Sequence, residues 1–363
     1  MINFLNRKKK EPSFKKNVRE FWQWFEKNSE TLFDNLKKGN SAELADDMIR
    51  QVNKLMPGMA WCFGPGNEKD RFSFTLSPEA NRNLQFLSTF WLEMAPKIPK
   101  WDFFSSRQPS REPENFTIAI RDREFSISEM WLKPQIDEKN QVFDISVWHP
   151  HFHEMDDNAR FQVLFLWLDE VLGEIGTEQW IGQVDFSTEE FDQAIPLLEL
   201  PEFIKKQQED NAWVKPPPEE SYSLYEINLD DDDFPRSDTK FGNTCHMQLV
   251  GDFFDTRSEM PNLLAGSLAD YVYVTIPTGF LPIGDEINAR TKIEDKLNKL
   301  LRENKSGRSI GSAFGTVSNY LDFIIFDGDE SLELLLNGMI SCELPAGCEL
   351  HYWAAENEDV FSI

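Results

Sequence analysis

Residues 158–186, NARFQVLFLWLDEVLGEIGTEQWIGQVDF, carry the pattern from which the fold is read. Phe161, Leu164, Phe165, Leu168, Val171 and Leu172 recur at the i, i+3, i+4, i+7 spacing of one helical face, and Val163, Leu166 and Trp167 cover most of the remainder. A helix apolar on nearly every side predicts complete burial. Asp156 and Asp157 can cap its start, because a carboxylate accepts from the free N–H groups of a first turn. Gly173 or Gly176 can stop it, and residues 179–186 then read as a short strand leaving the core.

Upstream of this segment, Ser13 opens a helix whose Phe14, Val18, Phe21, Trp22, Phe25, Leu32, Phe33 and Leu36 repeat at helical spacing as far as Gly39. Ser41 opens a second helix carrying Leu44, Met48, Val52 and Leu55, which Pro57-Gly58 closes. The period then changes to two: MAWCFGP, a turn at Gly66-Asn67 and RFSFTLSP predict a hairpin. A helix over 81–94 and the short strands WDFFSS, FTIAIRD, EMWLKPQID and QVFDISVW complete the half.

Downstream, 195–213 reads as a surface helix running into Lys215-Pro216-Pro217-Pro218, a stiff extended spacer. The acidic run from Asp230 to Asp233 lacks the alternating ligands and terminal Glu of an EF-hand and is read as a solvated linker. Strands are expected at 245–250, 271–277 and 349–353, helices at 285–304 and 330–339, and a long hairpin over 308–326. The expectation is an α+β protein of two domains, with antiparallel sheets packed against helices and a ferredoxin-like second domain. Its parts are a basic flexible arm over 1–12, an N-terminal domain over 13–213, a Pro-rich and acidic linker over 214–240, and a C-terminal domain over 241–363.

Composition narrows the function. A chain of 363 residues with 30 Phe, 11 Trp and 40% hydrophobic residues has bulk enough for two cores and is not disordered. Its net charge of −26 argues against nucleic acid, whose binding rests on neutralising phosphates; it could attract a basic protein partner, although the same charge is first of all what keeps an acidic protein in solution. Lys8, Lys9 and Lys10 are followed by no apolar run, so no secretion signal is expected, and no apolar stretch is long enough to predict a membrane span. Cys62, Cys245, Cys342 and Cys348 are too few and scattered for a disulfide framework, which places the chain in the cytoplasm.

The chemical candidates are few. His149, His151 and His153 alternate in VWHPHFHEMDD, and in an extended segment alternation would put three imidazoles on one face with Glu154 beside them, a ligand set for Zn or Fe. Pro150 interrupts that strand, and acids are also what a helix N-terminus prefers. Cys342, Cys348 and His351, with Cys245 and His246 if the first and last strands of the second domain pair, form a second cluster, though C-x₅-C-x₂-H is not a tight zinc spacing. Gly307, Gly311 and Gly315 precede a strand rather than a helix and carry no Gly-Lys-Ser/Thr ending, so they read as bulges or close approaches and not as a phosphate cradle. A groove beside Gly311 and Gly315 is a further place for a small ligand. The acids of Asp169-Glu170 and Gly173-Glu174 could supply a carboxylate pair, but nothing in the sequence positions a substrate beside them. No nucleophile elbow or activated cysteine occurs.

FWQWF, PGMAWCFGP, APKIPKWDFFSSRQP and above all LDEVLGEIGTEQWIG resemble an uncharacterised family of bacterial proteins, a domain of unknown function. The resemblance covers about the first two hundred residues, and its most specific block is Leu168, Asp169, Leu172, Gly173 and Glu174. It implies a fold and no catalytic residues. The leading expectation is therefore a non-enzymatic protein-binding module of immunity or inhibitor type, without a cofactor. The alternative is a metal-dependent enzyme using His149, His151 and His153, with Glu154 as base.

Overall fold

The computed structural model describes residues 12–40, 42–120, 123–228 and 233–363. The basic arm as far as Glu11, the Ser41 cap, Arg121 and Asp122 at the end of a predicted strand, and the linker acids Asp230 to Asp232 lie outside the described residues. In chain order the elements are α1 (Phe14–Lys37), α2 (Ala42–Leu55), β1 (Ala60–Pro65), β2 (Phe72–Ser77), α3 (Arg82–Glu93), β3 (Trp101–Phe104), β4 (Thr117–Ile120) and β5 (Arg123–Ser126). Then come β6 (Trp131–Asp137), β7 (Val142–Trp148), α4 (Asp157–Trp180), β8 (Ile181–Phe186), β9 (Ile195–Pro196), α5 (Leu200–Asn211), β10 (Ser223–Glu226) and β11 (Thr239–Thr244). The last are α6 (Met247–Asp255), β12 (Asp270–Pro277), α7 (Glu286–Glu303), β13 (Gly307–Gly315), β14 (Ser318–Ile325), α8 (Asp329–Ser341), β15 (Glu349–Tyr352) and β16 (Phe361–Ser362). The architecture is α+β. Among the described residues, no helix is long and apolar enough to cross a membrane.

Two compact units emerge, and they do not follow the sequential division expected from the sequence. One, here the split unit, gathers the residues up to Met59, Arg82–Pro99 and Glu219–Ile363; the other, the inserted unit, holds Ala60–Asn81 and Lys100–Pro218. The boundary at Pro218 falls in the triple-proline segment. α1 and α3 belong with the C-terminal sheet because their aromatic side chains are buried there, and α2 packs on α1. Phe14 and Phe90 both pack on Phe326, Phe90 with ring centroids 4.2 Å away, and the Lys15 ammonium lies 2.7 Å from the Asp327 carboxylate. Trp22 stacks on Trp91 at 4.5 Å and donates its indole N–H to the Trp91 carbonyl at 2.9 Å, which ties α1 to α3.

The split unit is built on one antiparallel sheet of order β10-β11-β13-β14-β12-β15-β16. Val272, Val274, Leu321, Phe323, Ile325 and Leu350 point to one face, where Leu297 and Leu301 of α7 and Leu332, Leu335 and Met339 of α8 cover them. On the opposite face Arg236 is sealed among Tyr320, Trp353 and Tyr273, its guanidinium 4.3 to 4.9 Å from their ring centroids and 2.7 Å from the Asp322 carboxylate. Residues 245–250, expected as a strand, instead begin α6: the His246 ring accepts from Leu249 N, and Leu249, Val250, Phe253 and Phe254 repeat at helical spacing to bury one side.

The inserted unit contains the sheet β1-β2-β3, the hairpin β4-β5 and the sheet β8-β7-β6-β9, with two parallel pairs, β2 with β3 and β7 with β8, among otherwise antiparallel strands. Phe143, Ile145 and Val147 alternate inward along β7, and Val163, Leu164, Trp167, Leu168 and Val171 of α4 pack over them. Asp156 caps α4 by accepting from Ala159 N at 3.0 Å, as the sequence predicts. Complete burial, however, is not what α4 shows. Phe161, Phe165 and Leu166 are 37, 42 and 41% exposed, because the sheet covers one side of the helix only.

Candidate functional site

The helix α4 changes direction at Gly173, whose φ of +74° and ψ of 161° are open to glycine and strained for any other residue. The absence of a side chain also admits a loop: a β-carbon at Gly173 would stand 2.8 Å from Pro109 Cδ and 3.0 Å from the Arg107 carbonyl. Glu174 N donates to that same carbonyl, and Ser110 N donates to the Glu170 carbonyl at 2.7 Å, so loop 105–112 satisfies backbone groups freed by the break. The buried Glu174 carboxylate then accepts from Ser77 Oγ at 2.8 Å, Ala80 N at 2.8 Å and Arg107 N at 3.1 Å. Within the block singled out in the sequence, Leu168, Asp169, Leu172, Gly173 and Glu174, three residues perform distinct tasks. Leu168 fills the core, Gly173 makes the break, and Glu174 fastens it to the end of β2.

Beside this knot lies a cavity of about 570 Å³. Its apolar wall is Phe165, Leu166 and Ile181, and Phe161 continues the exposed strip along α4, its ring 6.3 Å from that of Phe165. Glu79, Asp169, Glu174 and Glu178 supply four carboxylates against the single guanidinium of Arg107, which pairs with Glu79. Burial pushes the Asp169 carboxyl up to about 6; a hydrogen bond from Thr177 opposes that shift, and the nearby Glu174 adds to it. Glu170 is raised for the same first reason. The arrangement is an apolar groove with an acidic floor, suited to a side chain that is greasy along its stem and cationic at its tip.

The histidine cluster is arranged differently from the expected ligand set. A 3₁₀ turn over Phe152–Glu154 ends the alternation after Pro150. His149 turns into the core against Phe152 and Trp167, its Nδ1 accepting from His151 N at 3.2 Å, and its Nε2 is buried without a hydrogen-bond partner, 4.0 Å from the Glu129 carboxylate. Burial, reinforced by His151, holds its pKa down at about 4. His151 and His153 stay outside and share Glu154, at 3.5 and 3.8 Å from one carboxylate oxygen. The structure therefore brings His151, His153 and Glu154 together on the outside and turns the His149 ring into the core, its centroid 5.8 Å from that of His151. Among the described residues, no group of three or more His, Cys, Asp or Glu is placed to hold a metal ion.

The second cluster is dispersed. Cys348 faces α7 and α8 in the core, His351 stacks on Tyr273 and lies 3.0 Å from Glu349, and His246 bonds to Asn83 Oδ1 at 2.9 Å. Cys245 follows β11, and three strands separate β11 from β15, about 19 Å at the usual strand spacing. At Gly311 the backbone of β11 fills the space a side chain would take, beside a bulge between Ser309 and Gly311, so this glycine serves close strand approach. Ser77, Ala80 and Arg107, the partners of Glu174, had no mark in the sequence, since each is an ordinary polar or backbone group until the loop docks. Compared with family profiles, curated proteins and solved structures, the chain matches none.

Proposed function

We propose that the chain is a non-enzymatic protein-binding module that takes up a basic, apolar-anchored segment of a partner in the groove along α4. The observation that carries this reading is the exposed strip of Phe161, Phe165 and Leu166 running into a cavity with four carboxylates. Large apolar side chains at a third or more exposure, next to acids, suit a partner with the opposite pattern, and the net charge of −26 would steer it inward. An acidic face that occludes a basic surface is the working part of an immunity or inhibitor protein. Four free thiols support a cytoplasmic setting.

The succession β12, α7, β13, β14, α8, β15, with strand order β13-β14-β12-β15, supports reading the C-terminal part as ferredoxin-like, extended at one edge by β10 and β11. That layout hosts many activities, so the functional reading rests on the groove and not on the fold.

The test uses the full chain and a synthetic peptide with lysines flanking a Leu-Trp anchor, against a twin in which the lysines are glutamates. The lysine peptide is expected to bind, to weaken as salt is raised, and to lose about tenfold or more in affinity with Phe165→Ser or Leu166→Ser. Equal binding of the two peptides, or binding indifferent to both substitutions, would overturn the proposal.

A further inference from the structure

The segment 302–308, RENKSGR, carries three cations across the junction of α7 and β13: Arg302 in the last turn of the helix, Lys305 in the connection and Arg308 at the start of the strand. Lys305 sits in the left-handed region at φ +49°, which turns the chain sharply enough to bring the three round one hollow. The hollow, in the split unit, has a volume of about 290 Å³; Phe86, Phe90 and Phe326 form its apolar part and Glu93 is the acid in its lining. Phe90 and Phe326 stack there as a flat double ring, and the Arg308 guanidinium lies 5.9 Å from the centroid of Phe86.

Arg308 is the decisive group. It is 7% exposed, and its guanidinium reaches only carbonyl oxygens, that of Glu219 at 2.7 Å and that of Ser309 at 3.5 Å. Among the described residues no carboxylate lies within ion-pair distance of it, whereas Arg236, more deeply buried still, has Asp322. Taking a guanidinium out of water without a counter-ion is costly, and hydrogen bonds to carbonyls offset only part of that cost. Arg302 is partly engaged by Glu220 at 3.5 Å, and Lys305 makes no side-chain ion pair among the described residues. The hollow is thus short of negative charge on one side and lined with aromatic surface on the other.

We infer that this hollow is a binding site for a small phosphate monoester bearing a planar ring. A phosphate dianion would supply the counter-charge that Arg308 and Lys305 lack, and guanidinium matches its oxygens with paired donors. The ring would lie against the phenylalanines. The volume suits one ring and one phosphate and is small for a dinucleotide.

Phenyl phosphate is the probe, titrated calorimetrically into the full chain at low salt, with phenol and inorganic phosphate as its two halves. Binding tighter than either half, falling as salt rises, is expected. Arg308→Gln also removes the bond to Glu219, so the exposed Lys305→Glu carries the test; it should weaken phenyl phosphate at least about tenfold while the circular dichroism spectrum and melting temperature stay unchanged. No heat up to about 10 mM probe, or an affinity unaltered by Lys305→Glu, would overturn the site. Equal affinity for inorganic phosphate and phenyl phosphate would overturn the ring's part in it.

Discussion

The groove along α4 and the hollow beside β13 are opposites drawn from one acidic chain. The first sets four carboxylates and one guanidinium beside exposed Phe165 and Leu166; the second sets three cations and one carboxylate around three phenylalanines. Their difference teaches that net charge describes a surface on average, while the chemistry of a concavity depends on which residues a turn obliges the chain to place there. At Gly173 the break brings Glu174 inward and finds it three donors; at Lys305 the turn brings Arg308 inward and finds it only carbonyls. A buried charge with its partners present is structural. One whose partners are missing is available to a ligand.

The largest expected effect sharpens that distinction. Asp322→Ala leaves Arg236 sealed under its aromatic rings without a carboxylate, and urea unfolding should show a loss of about 3–5 kcal/mol. The double replacement Arg236→Met with Asp322→Leu should recover most of it, since apolar side chains of similar bulk need no counter-charge. If Asp322→Ala is instead neutral, an unpaired guanidinium is cheap in this fold and Arg308 has little need of a phosphate.

Next in size is Gly173→Ala. A β-carbon at positive φ against Pro109 should cost about 2 kcal/mol and loosen the knot at Glu174, read as a lower unfolding midpoint together with weaker uptake of the lysine peptide.

A smaller effect follows from Asp169. Its folded pKa of about 6 lies above the ordinary 3.8, so the native state holds the proton more tightly than the unfolded chain does. The stability this contributes is complete below about pH 4 and is lost as pH rises through 6. Asp169→Asn should therefore be more stable than the parent at pH 7, by about 1 kcal/mol after screening by solvent in the groove, with the difference vanishing in acid. Glu174, Glu79, Arg107 and the Thr177 hydroxyl all act on this carboxyl, so a Thr177→Val variant should shift the window upward. His149 runs the other way. Its pKa falls from 6.5 to about 4 on folding, so its contribution is present above pH 6.5 and disappears as pH drops toward 4, and His149→Gln should flatten that acid limb. The smallest effects belong to the outer imidazoles: His151→Ala and His153→Ala should each change stability by about 0.5 kcal/mol or less.

Much of the fold is legible in the residues. The stripe from Phe14 to Leu36, the Gly66-Asn67 hairpin and the alternation in VFDISVW each appear as the period requires. What periodicity does not encode is the partner of a face. The apolar run around Phe161 and Leu166 reads as buried because nothing in it says that the sheet will cover one side only, and the stripe of α1 does not announce that Phe326 lies beneath it. Residues 245–250 misled because a short apolar run fits a strand or a helix equally well until His246 is seen to cap it. The site was legible in part: Asp169, Glu170 and Glu174 stood out as acids on an apolar helix, but the three donors that hold Glu174 lie 67 to 97 residues away and leave no local signal.

The pairing of Lys15 with Asp327 spans 312 positions of sequence, with the whole inserted unit made between them. At ribosomal speeds of about 5–20 residues per second, Phe14 and Lys15 at the start of the first helix wait roughly 15–60 s after their synthesis before Phe326 and Asp327 exist to cover them, whereas Trp22 meets Trp91 much sooner. During that interval the start of α1 is a sticky, half-made face, and the nascent polypeptide is most vulnerable to aggregation or in need of a chaperone there.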